Sequence, residues 1–199
     1  MIKPVIGVLA LQGDFALHAK SVKRLGLESR LIRDADTLKQ CSALILPGGE
    51  TTTFVKLLKK TGLFKAIQTF SKNHAIMGTC AGCISLSSNV VDEKLETLAL
   101  IDIDVKRNAY GRQVDSFIDS IQISVFNGKA DYEGVFIRAP VIRAVSGDTE
   151  VLGYHKDEIV MARNKNILVT TFHPELTTDN RIHRYFVQEM MNHPLSSKL

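Results

Sequence analysis

Cys80 sits at the centre of Gly78-Thr79-Cys80-Ala81-Gly82, a cysteine with glycines two positions away on each side, directly after the apolar run Ala75-Ile76-Met77. This is the layout of a nucleophile elbow, a sharp strand-to-helix turn that lifts one side chain above a sheet. Small neighbours let the backbone turn and pack closely there. A helix N-terminus favours thiolate over thiol and lowers the thiol pKa from about 8.5 by one to several units, each worth about 1.4 kcal/mol. The pentapeptide by itself is weak evidence, because a buried structural cysteine beside a Gly-rich turn has the same pattern. A cysteine nucleophile needs a base, and the base needs a third group to fix its tautomer. His173-Pro174-Glu175 offers both, since the stiff proline separates imidazole and carboxylate by one residue just after the strand-like run Leu168 to Phe172. Alone, that tripeptide is more often an ordinary loop. The other histidines, His18, His74, His155, His183 and His193, lack such a neighbour and read as surface or packed residues. Pro47-Gly48-Gly49-Glu50-Thr51 ends another apolar run, and its glycines expose N–H groups suited to a phosphate or an oxyanion. A P-loop is excluded because the Lys-Ser/Thr that should follow the turn is missing.

These segments need a scaffold, and the chain supplies one in its alternation of elements. Val5 to Leu11 and Ala43 to Leu46 are continuous apolar runs, as expected of strands covered on both faces. The spacing predicts helices over Phe15 to Leu25, Thr51 to Lys60, Leu63 to Ser71 and Ala81 to Ser88, with a further strand around Ser29 to Arg33. Strands alternating with helices of this length predict a mainly parallel sheet with helices on both faces. The second half changes character. Leu98 to Val105, Ser120 to Phe126, Gly134 to Ile137, Val141 to Val145, Val151 to Tyr154, Ile159 to Ala162 and Ile167 to Thr171 read as strands. The turns Asn127-Gly128, Ser146-Gly147-Asp148 and Arg163 to Asn166 favour antiparallel hairpins attached to the parallel core. A last helix is expected over Asp179 to Met191, with Ile182, Phe186 and Met190 spaced by four. In open parallel sheets ligands collect beyond the carboxyl ends of the strands, which is where all three chemical segments fall.

Composition narrows the class. At 199 residues with 45% apolar and 23% charged, the expectation is one domain over residues 1–199 with a substantial core. The longest apolar runs fall far short of the roughly 20 residues that cross a bilayer, and the start has no signal-peptide layout, so a cytoplasmic protein without a membrane partner is expected. Cys41, Cys80 and Cys83 make no even disulfide framework and fit a reducing compartment. Cys80-x-x-Cys83 has a rival reading as a redox or metal pair, but no second pair completes a zinc site. The net charge of +4 and pI of about 9.0 raise nucleic acid as a partner. The basic residues are dispersed, however, without an aromatic-rich stripe, and read as solvated helix faces. Neither a metal nor a cofactor is expected.

The three segments, in this order and at strand ends, resemble the class I, triad-type glutamine amidotransferases, which share a Pro-Gly-Gly oxyanion loop, a Gly-x-Cys-x-Gly elbow and a late His-Pro-Glu. Leu11 to Asp14, Arg107 to Phe117, Phe136 to Pro140 and Phe172 to Thr177 resemble one branch of that family, the glutaminase subunits of pyridoxal 5′-phosphate synthases. The resemblance runs from Val5 to about Met191. Two departures stand out: Thr51 occupies a position where the family commonly has serine, and Val91 to Leu98 is compact for the family.

The resemblance implies a three-layer, flavodoxin-like fold and hydrolysis of L-glutamine by Cys80, His173 and Glu175. It places oxyanion donors at Gly48, Gly49 and Ala81, and glutamine contacts at Gly49, Glu50, Thr51, Arg107, Ile137 and Arg138. The arginines at Arg107 and Arg138 suit a carboxylate, although an arginine on a strand is often only a solvated side chain. The implied partner is a synthase subunit, a (β/α)8 barrel in a large hetero-oligomer, and the implied isolated chain is weakly active. Two rival functions stay open: another cysteine hydrolase on this architecture, acting on γ-glutamyl peptides, and a non-enzymatic nucleotide- or phosphate-binding module built on the Gly48-Gly49 turn.

Overall fold

The computed structural model describes residues 3–109, 116–126 and 131–192. Its first half alternates as expected: β1 (Val5–Leu9), α1 (Phe15–Arg24), β2 (Glu28–Ile32), α2 (Ala35–Leu38), β3 (Ala43–Leu46), α3 (Thr51–Lys60), α4 (Leu63–Phe70), β4 (Ala75–Thr79) and α5 (Ala81–Leu86). Then follow β5 (Ser87–Val90), β6 (Ile101–Lys106), β7 (Ser116–Ile123), β8 (Tyr132–Ile137), β9 (Val141–Val145), β10 (Glu150–His155), β11 (Glu158–Arg163), β12 (Ile167–Thr170) and α6 (Arg181–Tyr185).

The sheet runs β2-β1-β3-β4-β12-β11-β10-β7-β8. Its first five strands are parallel, the doubly wound order that places ligands at the strand ends. From β12 onward the neighbours are antiparallel. Strand side chains alternate between faces, and the apolar runs exploit this fully. Leu44, Leu46, Ile76, Ile167 and Val169 face one cluster with Phe54, Leu58, Ile67 and Ile84 of α3, α4 and α5. Ala43, Ile45, Met77 and Leu168 face the other, with Val22 of α1 and Ile182 of α6. Helices therefore cover both faces, as the continuous apolar strands require.

The departures from the sequence reading have local causes. The helix expected over Ala81 to Ser88 stops at Leu86, and Ser87 begins β5. The Ser87 hydroxyl donates to the Ile84 carbonyl at 2.8 Å and competes with helix continuation. The short α2, absent from the sequence reading, is capped by Asp34, which accepts from Thr37 N–H at 2.8 Å. The strand expected from Leu98 starts at Ile101. That expected over Ser120 to Phe126 instead covers Ser116–Ile123, and a 3-10 turn takes Ser124–Phe126.

Strand β9 does not form a hairpin with β10 across Ser146-Gly147-Asp148; it pairs with β6 and β11. Ser146 N–H donates to the Asp102 carbonyl at 2.9 Å and anchors this turn to β6. The Asn127-Gly128 turn lies outside the described residues. The last helix changes to a π-turn at Phe186–Met190. A spacing of four drifts by about 40° per step on an α-helix, and a turn closing one residue later takes up that drift, so Ile182, Phe186 and Met190 are all buried. No helix among the described residues is long and apolar enough to cross a membrane.

Candidate active site

Strands β4 and β12 are parallel neighbours, with Thr79 opposite Thr170 in the register. Cys80 and the segment leading to His173 therefore emerge side by side at the same sheet edge. The Cys80 N–H donates to the Thr170 carbonyl at 2.9 Å, and the Cys80 carbonyl accepts from Ile84 N–H at 3.1 Å as α5 begins. Between these two bonds Cys80 is held at φ 47 and ψ −105, a strained position for a residue with a Cβ and the hallmark of an elbow. The turn is tight because Gly82 presses on β3: a Cβ there would lie 2.1 Å from the Leu46 carbonyl oxygen.

His173 is fixed from behind. Its backbone N–H donates to the Val135 carbonyl at 2.9 Å, and its Nδ1–H donates to Glu175 Oε1 at 2.7 Å. Burial works against a charged ring here and is the largest single influence. The hydrogen bonds to Cys80 and Glu175, with the charges of both, outweigh it and push the His173 pKa up to about 10. Burial likewise favours a neutral Glu175, but the neighbouring histidines prevail and hold its carboxyl below the ordinary carboxylate value. His173 is thus poised as a proton donor. Gly48 leaves no room for a side chain, since a Cβ there would lie 2.5 Å from His173 Cε1.

Cys80 and His173 open into a cleft of about 330 Å³ that is also lined by Gly49, Glu50, Thr51, Arg107, Ile137 and Arg138. All six residues expected to contact glutamine thus face one cavity with the cysteine. Cys80 Sγ lies 3.9 Å from the Ile137 carbonyl oxygen. Three lining residues, Cys80, Asn108 and Arg138, have positive φ without being glycine, and such strain clusters at functional sites. Gly48 and Ala81 are not part of the lining. Ala81 does open α5, and the first N–H groups of a helix lack intrahelical acceptors. Arg107 is engaged at the rim: Nη1 donates to Glu93 Oε2 at 2.6 Å, and Nη2 lies 3.6 Å from Glu50 Oε1.

Asp14, Ile84 and Asn108 also line the cleft. The sequence reading missed them as site residues, although Asp14 and Asn108 lie inside the family-like segments. Tyr110 to Asp115, also part of those segments, fall outside the described residues. Asp14, His173 and Glu175 bring ligand atoms within 4.8 Å of one another, but His173 Nδ1 and Glu175 Oε1 are hydrogen-bonded together. Cys83 is fully buried and its thiol is pushed up by burial first and by Cys80 second, which disfavours the redox-pair reading. Of the remaining histidines, His74 stacks on Phe70, His155 bonds Asp119 at 2.9 Å, and His193 is outside the described residues. His18 and His183 are packed, as expected: His18 lies against the Glu175 carboxylate and His183 against His18.

The Gly49 loop is pinned on both sides. Gln12 Nε2 donates to the Glu50 carbonyl at 2.7 Å, and the Glu50 carboxylate caps α3 by accepting from Thr52 N–H at 3.0 Å and Thr53 N–H at 2.7 Å. The Thr53 backbone bond is the main cause that holds the Glu50 pKa down, to about 2 from 4.5. A carboxyl with a depressed folded-state pKa contributes stability that is complete above the unfolded value and lost as pH falls through the folded one. The Glu50 contribution should therefore vanish between about pH 4.5 and pH 2. Glu50→Ala should cost about 1 kcal/mol at neutral pH, as a lost helix cap does. Denaturant titrations of both proteins at neutral pH and near pH 2 check this, and the two curves should converge in acid.

Comparison with known proteins agrees with the geometry. The pyridoxal 5′-phosphate synthase subunit PdxT of Oenococcus oeni is 47% identical over 92% of this chain and 95% of its own. The subunit of the same name from Fervidobacterium nodosum is 43% identical over 92% and 96%. A crystal structure of a glutamine amidotransferase superposes with a TM-score of 0.87 at 42% identity, covering 94% of this chain and 98% of the other. The sequence matches the SNO glutamine amidotransferase family over residues 8–192, and the chain belongs to that family.

Proposed function

We propose that this chain is the glutaminase subunit of a pyridoxal 5′-phosphate synthase. In this reading it hydrolyses L-glutamine to L-glutamate and ammonia and passes the ammonia to a synthase subunit. The observation that carries the proposal is the convergence of Cys80 and His173, the latter bonded to Glu175, on one cleft with the six expected glutamine contacts.

Cys80 as thiolate attacks the side-chain carboxamide carbon. The tetrahedral oxyanion is held by N–H groups of Ala81 and the Gly48-Gly49 loop, aimed at about 2.7–3.1 Å. Protonated His173 gives its proton to the amide nitrogen, the C–N bond breaks and ammonia leaves a glutamyl thioester. His173, now neutral, takes a proton from water, which attacks the thioester carbon. The C–S bond then breaks, glutamate departs and the thiolate returns. Arg107 and Arg138 hold the substrate carboxylate, with Glu50 and Thr51 at its amino end of the cleft. For Arg107 this requires that substrate compete with Glu93 for the guanidinium.

Ammonia is lost to water as ammonium near neutral pH, a reason for release to be coupled to a consumer. Relatives named as pyridoxal 5′-phosphate synthase subunits support a synthase subunit as that consumer; in this reading the isolated chain is weakly active. A glutamine-mimicking electrophile should label Cys80, faster when the synthase subunit is present, and glutamine should protect. Label on Cys83 would overturn the assignment. Rapid unassisted cleavage of γ-glutamyl peptides would favour a free-standing hydrolase, and nucleotide binding with an unmodified Cys80 would favour a binding module.

A further inference from the structure

The triad accounts for only one oxygen of Glu175. Oε1 accepts from His173, while Oε2 is buried and has no full hydrogen bond among the described residues. His18 Nε2 sits 3.3 Å from it, off the line a full hydrogen bond requires, because the same nitrogen is directed at Thr79 Oγ1, 3.2 Å away. On its other side, His18 Nδ1 lies 3.0 Å from His183 Nε2. Both rings are entirely buried. They come from α1 and α6, while Thr79 ends β4 immediately before Cys80. Three elements thus converge behind the carboxylate.

The hydrogens on this chain follow from electrostatics. A bare ring nitrogen facing a buried carboxylate oxygen at 3.3 Å would oppose two lone pairs where no water screens them, so His18 Nε2 carries its hydrogen. His18 Nδ1 is then an acceptor and takes the Nε2–H of His183. His183 Nδ1 is left bare, and it has no partner among the described residues. An orphaned acceptor is better tolerated than an orphaned N–H. Every other neutral pairing of tautomers opposes two lone pairs or two hydrogens somewhere along the chain. Burial is the main cause that lowers both imidazoles, His183 to about 3, and for His18 it outweighs the pull of Glu175, which favours neutral rings. His18 therefore acts on Glu175 through an N–H dipole rather than a full charge.

We propose that His18, its tautomer set by His183, is a positioning residue that holds the outer oxygen of Glu175 and so fixes the carboxylate in line with His173 Nδ1. The proposal rests on the triad reading above. It extends the polar chain to His183, His18, Glu175, His173 and Cys80: His183 and His18 present their Nε2–H groups toward the carboxylate from one side, and His173 donates to it through Nδ1 from the other. The charged or titratable groups that act on the pair are Asp14 before α1, Arg24 at the end of α1, and Glu175 and His173 beyond β12.

The test uses the chain assembled with its synthase subunit and measures kcat and KM for glutamine against pH in three variants. His18→Met keeps similar bulk but removes the ring N–H. It should lower kcat by about 10- to 100-fold, the scale of a small misplacement of a catalytic group, with KM unchanged. The acid limb of the profile should move to higher pH, because a carboxylate without its donor protonates more easily. His18→Gln, whose amide N–H reaches roughly where Nε2–H stands, should restore the limb. His183→Met should move it in the same direction by less.

Wild-type kcat and limb in His18→Met would overturn the relay. So would equal losses in the Met and Gln variants with an unmoved limb, which would assign His18 to packing alone. Near-UV circular dichroism establishes that each variant is folded; if His18→Met is not, an unmoved limb in His183→Met overturns the proposal. Activity that survives Cys80→Ala would instead remove the triad reading and the relay with it. Loss in Cys80→Ala without loss in His18→Met removes the relay alone.

Discussion

Cys80→Ala should lower synthase-stimulated ammonia release from glutamine by at least about 10⁴-fold, the scale seen when a covalent nucleophile is removed. The fold should survive. Cys80 contributes little packing that alanine lacks, and the elbow is held by backbone bonds to Thr170 and Ile84 that the substitution leaves in place. Alanine also keeps the positive φ of 47 with no larger steric demand than cysteine. Stopped ammonia assays with unchanged thermal unfolding would meet the expectation; near-normal turnover would mean that another group attacks. Because the residues of a triad act as a unit, His173→Asn in the Cys80→Ala background should add almost nothing further.

Gly82→Ala should be among the most damaging small substitutions in the fold. The new Cβ would meet the Leu46 carbonyl oxygen at 2.1 Å and its carbon at 2.9 Å, and neither partner can retreat. Leu46 lies at the end of β3, between β1 and β4 in the sheet, and α5 is tied to Cys80 by its first hydrogen bond. Overpacking a rigid site costs roughly 1–3 kcal/mol and more where backbone must move, so a loss of about 3 kcal/mol or more is expected by denaturant titration. An unchanged midpoint would show that α5 can slide on the sheet, and the elbow geometry would then be softer than described.

The proposed triad residues could be picked out because each stands in a short motif at the end of an apolar strand, and parallel pairing of β4 with β12 brings those strand ends together. The relay behind Glu175 was not. His18, Thr79, Glu175 and His183 share no local pattern, and only the convergence of α1, β4 and α6 makes them neighbours. Most strands were legible from apolar runs, the polar β5 excepted, whereas partner choice was not. The turn at Ser146 to Asp148 shows that the chain bends, but hydrogen bonding to Asp102 decides that β9 joins β6. The end of α5 depended on a serine hydroxyl bonding backward, a competition that periodicity does not display. The widened last turn at Phe186–Met190 was not legible either, because a spacing of four reads as an ordinary helix face.

Strand β12 lies between β4 and β11, although eleven strands precede it among the described residues. During synthesis, then, the central gap of the sheet stands open until residues 167–170 have emerged. Until that moment the nascent chain carries its cysteine with neither base nor shelter, beside an unpaired strand edge of the kind that recruits other chains. Insertion of this one strand closes the edge, completes the hydrophobic layers on both faces and brings the histidine to the thiol. Maturation of the fold and onset of chemistry are thereby a single event, and a ribosomal product cut short before it is an aggregation hazard rather than a weak enzyme.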